Sequence, residues 1–220
     1  MMQHFSDRHG GVSVDQFASL NVALHVGDDP VKVEKNRSKI AAAHGPLQYM
    51  NQVHGNRVAI IESITDETPT ADALVTGIPG IGLAVMVADC IPLLLRSPES
   101  VAAVHVGRRG LVNGVALHTL SAMKEMGATE ISAEIGPAIC GECYEVSEEI
   151  YQEVVKIHPA AAAHTPHGTK SLDLPKALKV LLQRESVAVI NLNICTRESD
   201  QHFSYRRDGQ TGRQIGAISL

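Results

Sequence analysis

Three side chains with metal-binding or nucleophilic chemistry occur where apolar runs give way to turns. His54 stands before Gly55 in NQVHG, Cys90 closes GLAVMVADC two residues before Pro92, and His105 sits two residues ahead of Gly107 in VAAVHVG. A proline so close behind Cys90 disfavours unbroken sheet pairing there. Ends of buried strands are where a rigid scaffold presents its site, so if these strands are neighbours the two imidazoles and the thiol converge. One thiolate with two imidazoles suits zinc, whereas calcium and magnesium take oxygen. Three protein ligands leave a fourth position for water or substrate, the arrangement of a catalytic zinc rather than a structural one. Asp89, beside the cysteine, is placed to orient an imidazole from behind. Spacing alone keeps a second reading open, a core cysteine and two histidines bonded to backbone, because short ligand pairs such as H-E-x-x-H are missing.

Other motifs are less specific. Gly107-Arg108-Arg109-Gly110 leads straight into an apolar helical run, which makes it either a phosphate cradle or a solvated basic turn. Cys140 and Cys143 form a C-x-x-C without a second copy, a redox pair or half a metal site. The H-x-E and P-C-x-x-C pair of zinc deaminases, the Walker loop, G-x-G-x-x-G and G-x-S-x-G are all missing. The segment FSYRRDGQTGRQ (203–214) reads as a salt-bridged hairpin turning near Asp208-Gly209, or as a substrate contact.

The elements that must position these groups follow from periodicity. Residues 30–45 predict a surface helix with proline at its start and Gly45 as its stop. Strands are expected at 57–61, 71–76, 82–90, 92–96 and 101–106, then a helix over 111–127. A strand at 130–136, helices at 147–158 and 174–185, and a strand at 187–194 complete the expectation, with 160–170 as a flexible loop. A strand-rich centre flanked by helices argues an α+β layered fold rather than regular βαβ units.

Composition sets outer limits. The 220 residues fit one catalytic domain spanning 1–220, expected to bury roughly 70 to 75% of its unfolded surface. A net charge of −5 and only 3% aromatic residues speak against a nucleic-acid partner. Neither a signal-like leader nor a spanning apolar run is evident, so a cytoplasmic protein without membrane association is expected.

Taken in order, RHGGVS (8–13), SLNVALHVGDDP (19–30), KNR (35–37), QVHG (52–55), ADALVT, ADCIPLLL (88–95), VAAVHVGRRG, IGPAI (135–139), CYEV (143–146), CT (195–196) and FSYRRDGQTGRQ resemble the YfiH family. That family is variously called laccase-domain, polyphenol oxidase, peptidoglycan-editing factor or zinc-dependent purine nucleoside phosphorylase. The resemblance implies a compact layered α/β/β/α sandwich in which His54, Cys90 and His105 hold zinc, with copper as the alternative, and carry catalysis. It further implies phosphorolysis of adenosine, inosine and methylthioadenosine, with adenosine deamination as a second activity. Phosphate attack at the ribose carbon needs a cationic cradle, for which Arg37 and Arg109 are the candidate donors, and Gln52 is a further candidate contact to purine nucleoside. Peptidoglycan-precursor editing and copper-dependent phenol oxidation are the alternatives that the family's other names carry. Two departures stand out: Gly107-Arg108-Arg109-Gly110 replaces the family's G-W-R-G, and Ile139-Cys140-Gly141-Glu142-Cys143 replaces I-G-P-C-C.

Overall fold

The structure, a computed structural model, describes residues 2–65 and 67–220. In chain order its strands are β1 (Met2–Phe5), β2 (Leu47–Gln48), β3 (Val58–Ile60), β4 (Ala73–Thr76), β5 (Gly82–Val87), β6 (Ile91–Arg96), β7 (Val101–Val106), β8 (Ser132–Ile135), β9 (Ala162–His164), β10 (Lys170–Leu172), β11 (Ala188–Asn191) and β12 (Gln214–Ser219). The helices are α1 (Pro30–His44), α2 (Arg108–Val112), α3 (Val115–Glu125), α4 (Glu148–Ile157), α5 (Leu174–Arg184) and α6 (Tyr205–Asp208). One sheet runs β11-β8-β6-β7-β4-β3, a second runs β1-β12-β5-β2, and β9 and β10 pair separately.

Strand alternation decides what each face meets. In the larger sheet Ala73 and Val75, Leu93 and Leu95, and Ala102, Val104 and Val106 cluster with Leu120, Tyr151 and Leu178 of the helices. The intervening Leu74, Leu94, Val101 and Ala103 point the other way and pack with Leu83, Val85, Val87 and Ile218 of the smaller sheet. The outer face of that sheet, Ala84, Met86, Ile215 and Ala217, lies against Ile40 of α1. The layers are thus helix, sheet, sheet, helix. Every residue of β5 and β7 is buried because each strand is covered on both faces, which is why they read as unbroken apolar runs.

Local signals set several boundaries. The Asp29 carboxylate caps α1 by accepting from the Val31 amide at 2.9 Å, Pro30 takes the first helical position, and Gly45 ends the helix with φ +84°. Strand β6 starts at Ile91 and includes Pro92, contrary to the expected interruption. The proline pairs opposite His105 on β7, and β8 joins β6 only from Leu93, so it sits where the second ladder has yet to begin.

Three further expectations need correction. The helix expected over 111–127 is two, α2 and α3, because Gly114 takes φ +75° and breaks the run that apolar spacing bridges. The loop expected at 160–170 contains the β9–β10 hairpin, closed by the Thr165 and Thr169 hydroxyls at 2.7 Å. Asp208-Gly209 ends the single turn of α6, with the Ser204 hydroxyl accepting from the Arg207 amide, instead of turning a hairpin. Strands β1, β2 and β12 have no counterpart in the sequence expectation.

Candidate active site

The chain passes from the smaller sheet to the larger through Ala88, Asp89 and Cys90, the link between β5 and β6. Asp89 makes this corner with φ +87°, a left-handed conformation that aspartate tolerates better than most residues. Cys90 arrives at the start of β6, beside the end of β7 that carries His105. His54 approaches from the segment after β2, itself at φ +58°. The ligand atoms of His54, Cys90 and His105 lie within 4.8 Å of one another. His54 Nε2 stands 3.7 Å from Cys90 Sγ, and the two imidazole rings meet edge to face with centroids 4.7 Å apart.

Asp72, one residue before β4, organises this arrangement. Its Oδ1 accepts from His105 Nδ1 at 2.8 Å and from the His54 amide at 2.9 Å. Its Oδ2 accepts from the amides of Gly55 at 2.7 Å and Val53 at 3.2 Å. One carboxylate therefore folds the His54 turn and fixes the His105 ring with Nε2 left as its ligand atom. The orienting role expected of Asp89 therefore falls to Asp72, which no local motif marks. The Asp89 carboxylate instead accepts from Thr196 Oγ1 and Ser204 Oγ at 2.7 Å each and from the Arg206 amide at 2.6 Å, which pins the corner rather than an imidazole.

The electrostatics follow from burial and proximity. Burial pushes the Cys90 thiol up, but the His105 charge and hydrogen bonds from both imidazoles outweigh it and bring it down to about 6. Burial lowers His105, and the Cys90 thiolate and Asp72 together raise it to about 9. Burial likewise opposes ionisation of Asp72, yet its bonds to His105 and the Gly55 amide hold it below the usual carboxylate range. The lowered value favours the thiolate, the form in which a cysteine binds a metal ion.

The donor set fits a metal ion. A Cβ added at Gly107 would stand 2.8 Å from His54 Cδ2 and 3.1 Å from Cys90 Sγ, so the missing side chain leaves the space that these two groups fill. The φ of Gly107 is −84°, so the glycine serves space rather than an unusual backbone.

The triad opens on a cavity of about 420 Å³. Gln52 lines it, with both ends of its amide bonded to the Met86 backbone at 2.7 and 2.8 Å. Arg37 and Arg109 are outside the lining. The Arg37 guanidinium lies 4.1 Å over the Tyr49 ring with its Nε donating to Val22 O, and Arg109 is exposed on α2. The arginines that do line the cavity are Arg108, Arg206 and Arg213, two of them from the FSYRRDGQTGRQ segment. Tyr144, Tyr205, Ile139 and Leu174 supply the less polar wall.

A family model described as multi-copper polyphenol oxidoreductase laccase matches residues 2–220. A purine nucleoside phosphorylase of Streptomyces coelicolor is 45% identical over 98% of this chain and 94% of its own. The purine nucleoside phosphorylase YfiH of Shigella flexneri is 38% identical over 98% and 92%. Among solved structures, a Neisseria meningitidis protein superposes with a TM-score of 0.90 at 37% identity, covering 98% of this chain and 92% of its own.

Proposed function

The chain belongs to the YfiH family, described as multi-copper polyphenol oxidoreductase laccase, and from that membership we propose that it is a zinc-dependent purine nucleoside phosphorylase. The observation that carries this reading is the convergence of His54, Cys90 and His105 on a cavity wall shared with three arginines. In phosphorolysis an oxygen of orthophosphate bonds to the ribose C1′, the C1′–N9 bond breaks, and the purine N9 takes the electron pair and then a proton. Arg108, Arg206 and Arg213 would bind and orient the phosphate, since fixed guanidinium groups match its oxygens and stabilise charge as it moves. The Tyr144 phenol, raised by burial and by the Cys90 charge, stays neutral and able to donate a hydrogen bond. Ile139, Leu174 and the tyrosine rings offer the base and ribose an apolar surface that excludes water. Zinc held by the triad would supply Lewis-acid polarisation of an oxygen at the reaction centre.

Adenosine deamination at the same site is the second activity proposed. There a water oxygen replaces the exocyclic nitrogen at C6 and ammonia leaves. Phenol oxidation fits less well. Multicopper chemistry needs several coppers and histidine-rich ligand sets, whereas the groups of ligand-type residues found among the described residues are His54/Cys90/His105 and Cys140/Cys143/Cys195/Glu198. The proposal places the whole catalytic unit in residues 1–220, working in the cytoplasm on purine nucleoside and phosphate. No helix among the described residues is long and apolar enough to cross a membrane.

Zinc-loaded protein incubated with inosine and phosphate should release hypoxanthine and ribose 1-phosphate only when phosphate is present. Adenosine should give adenine by the same route, and ammonia with inosine by the other. Absence of base release from inosine, adenosine and methylthioadenosine by fully zinc-loaded protein overturns the reading.

A further inference from the structure

Next to Ile139 of the cavity wall, a second group of ligand-type side chains converges. Cys140, Cys143, Cys195 and Glu198 each bring one sulfur or carboxylate oxygen within 4.8 Å of the others. The three cysteines are free thiols, Cys143 buried and the other two half-buried. The proposed reaction uses none of the four.

Two turns of matching design build the group. The first, 140–143, is closed by the Cys143 and Tyr144 amides, which donate to Cys140 O at 3.2 and 3.1 Å. The second, 195–198, is closed by the Ser199 amide donating to Cys195 O at 3.0 Å. Each turn offers ligands at positions i and i+3, C-x-x-C from one and C-x-x-E from the other. A parallel bridge between Ala138 and Cys195 holds the turns in register, and the Cys140 amide donates to Cys195 Sγ at 3.4 Å. Sulfurs bound to one zinc at ~2.3 Å stand about 3.8 Å apart, so donors already inside 4.8 Å close on an ion with shifts of about an ångström. Lys176 and Lys179 line the adjoining cavity with Cys140 and Cys195, where their charge offsets that of an anionic ligand set.

We propose that Cys140, Cys143 and Cys195, with Glu198 as fourth ligand, form a second, structural zinc site. Four protein ligands close the coordination sphere, which separates it from a catalytic site. Its neighbours give it a task. The Ile139 amide, next to Cys140, donates to Asp89 O at 2.9 Å, and Thr196, next to Cys195, donates to the Asp89 carboxylate. An ion joining the two turns therefore clamps the corner that delivers Cys90.

Metal analysis of the full chain tests this. The parent protein should carry about two zinc ions per chain, and a His54→Ala/Cys90→Ala variant, stripped of two triad ligands, should keep about one. Cobalt(II) bound by that variant should show strong thiolate-to-cobalt absorption. A Cys140→Ser/Cys195→Ser variant should hold about one zinc, lodged in the triad, and melt at a lower temperature. The proposal falls if the His54→Ala/Cys90→Ala variant binds neither zinc nor cobalt, or if intact mass and alkylation show two of the three thiols joined as a disulfide. Should the double-serine variant fail to fold, the triad variant decides alone.

Discussion

Asp72 accepts a 2.8 Å hydrogen bond from Nδ1 of His105, with both side chains nearly sealed from solvent. Replacing Asp72 with Asn keeps the shape but removes the charge that holds the ring and the three amides of the His54 turn. Metal affinity should fall about 10 to 100-fold, as for other residues behind a ligating histidine. Competition with a chelator measures this, and unchanged affinity would show that the imidazole is oriented by other means.

Gly107→Ala should cost metal occupancy without unfolding the protein. The added methyl meets His54 and Cys90 in a place where neither ligand can withdraw without leaving the triad. Since Gly107 has an ordinary φ, the circular dichroism and thermal midpoint of the zinc-free variant should stay close to those of the zinc-free parent, while zinc content and turnover drop.

The metal-free triad should titrate in a defined window. The depressed Cys90 value contributes stability that is fully present above the ordinary thiol pKa and is lost as pH falls through about 6. The raised His105 value contributes stability present below the ordinary imidazole pKa and lost as pH rises through about 9. Each shift depends in part on the other group's charge, so the thiolate–imidazolium pair stabilises between those limits. Alkylation of Cys90 in zinc-free protein should show a midpoint near 6, and His105→Asn should move it upward. A midpoint near the ordinary thiol value of about 8.5 in the zinc-free parent would contradict the pairing.

Adjacent arginines should behave differently. Arg108 lines the cavity, where it also approaches Glu153 at 3.3 Å, and Arg109 is exposed outside it. Losing a charged hydrogen bond of about 1.5 kcal/mol or more predicts that Arg108→Ala raises the KM for phosphate at least about tenfold. Arg109→Ala should leave it near the parent value, and equal effects would reject this placement.

Asp89 separates backbone from side-chain contributions. Asn tolerates the left-handed φ but weakens the bonds to Thr196, Ser204 and the Arg206 amide, whereas Ala loses those bonds and suits that φ poorly. Asp89→Ala should therefore destabilise by about 1 to 2 kcal/mol more than Asp89→Asn, measured by denaturant unfolding.

Much of this architecture is legible in the chain, and the exceptions share a cause. Strands β5 and β7 announce themselves because both faces are buried, and α1 because proline, aspartate and glycine mark its ends. The neighbourhood of His54, Cys90 and His105 to turns is visible too. Their meeting depends on the Asp89 corner and on a carboxylate 18 residues beyond His54. Local spacing carries no trace of that bond, and ADALVT reads only as a strand. Arg108 and Arg109 are indistinguishable in sequence, since the rotation of a five-residue helix selects which one reaches the cavity. Strand β12 escapes notice because its short run gains meaning only between two partners distant in the chain.

That last strand constrains how the molecule is made. β12 runs antiparallel between β1 and β5, with Met2 opposite Ser219 and Gln214 opposite Val87. While the polypeptide is still on the ribosome, β1 and β5 have lost no entropy to each other and present bare edges until residues 214–219 emerge. The larger sheet can assemble most of its strands from residues 58–135 beforehand, so the nascent chain waits half-built. Translation that stops short of Gln214 should yield a sticky, protease-sensitive product, which ties the supply of working protein to the six residues that join β1 to β5.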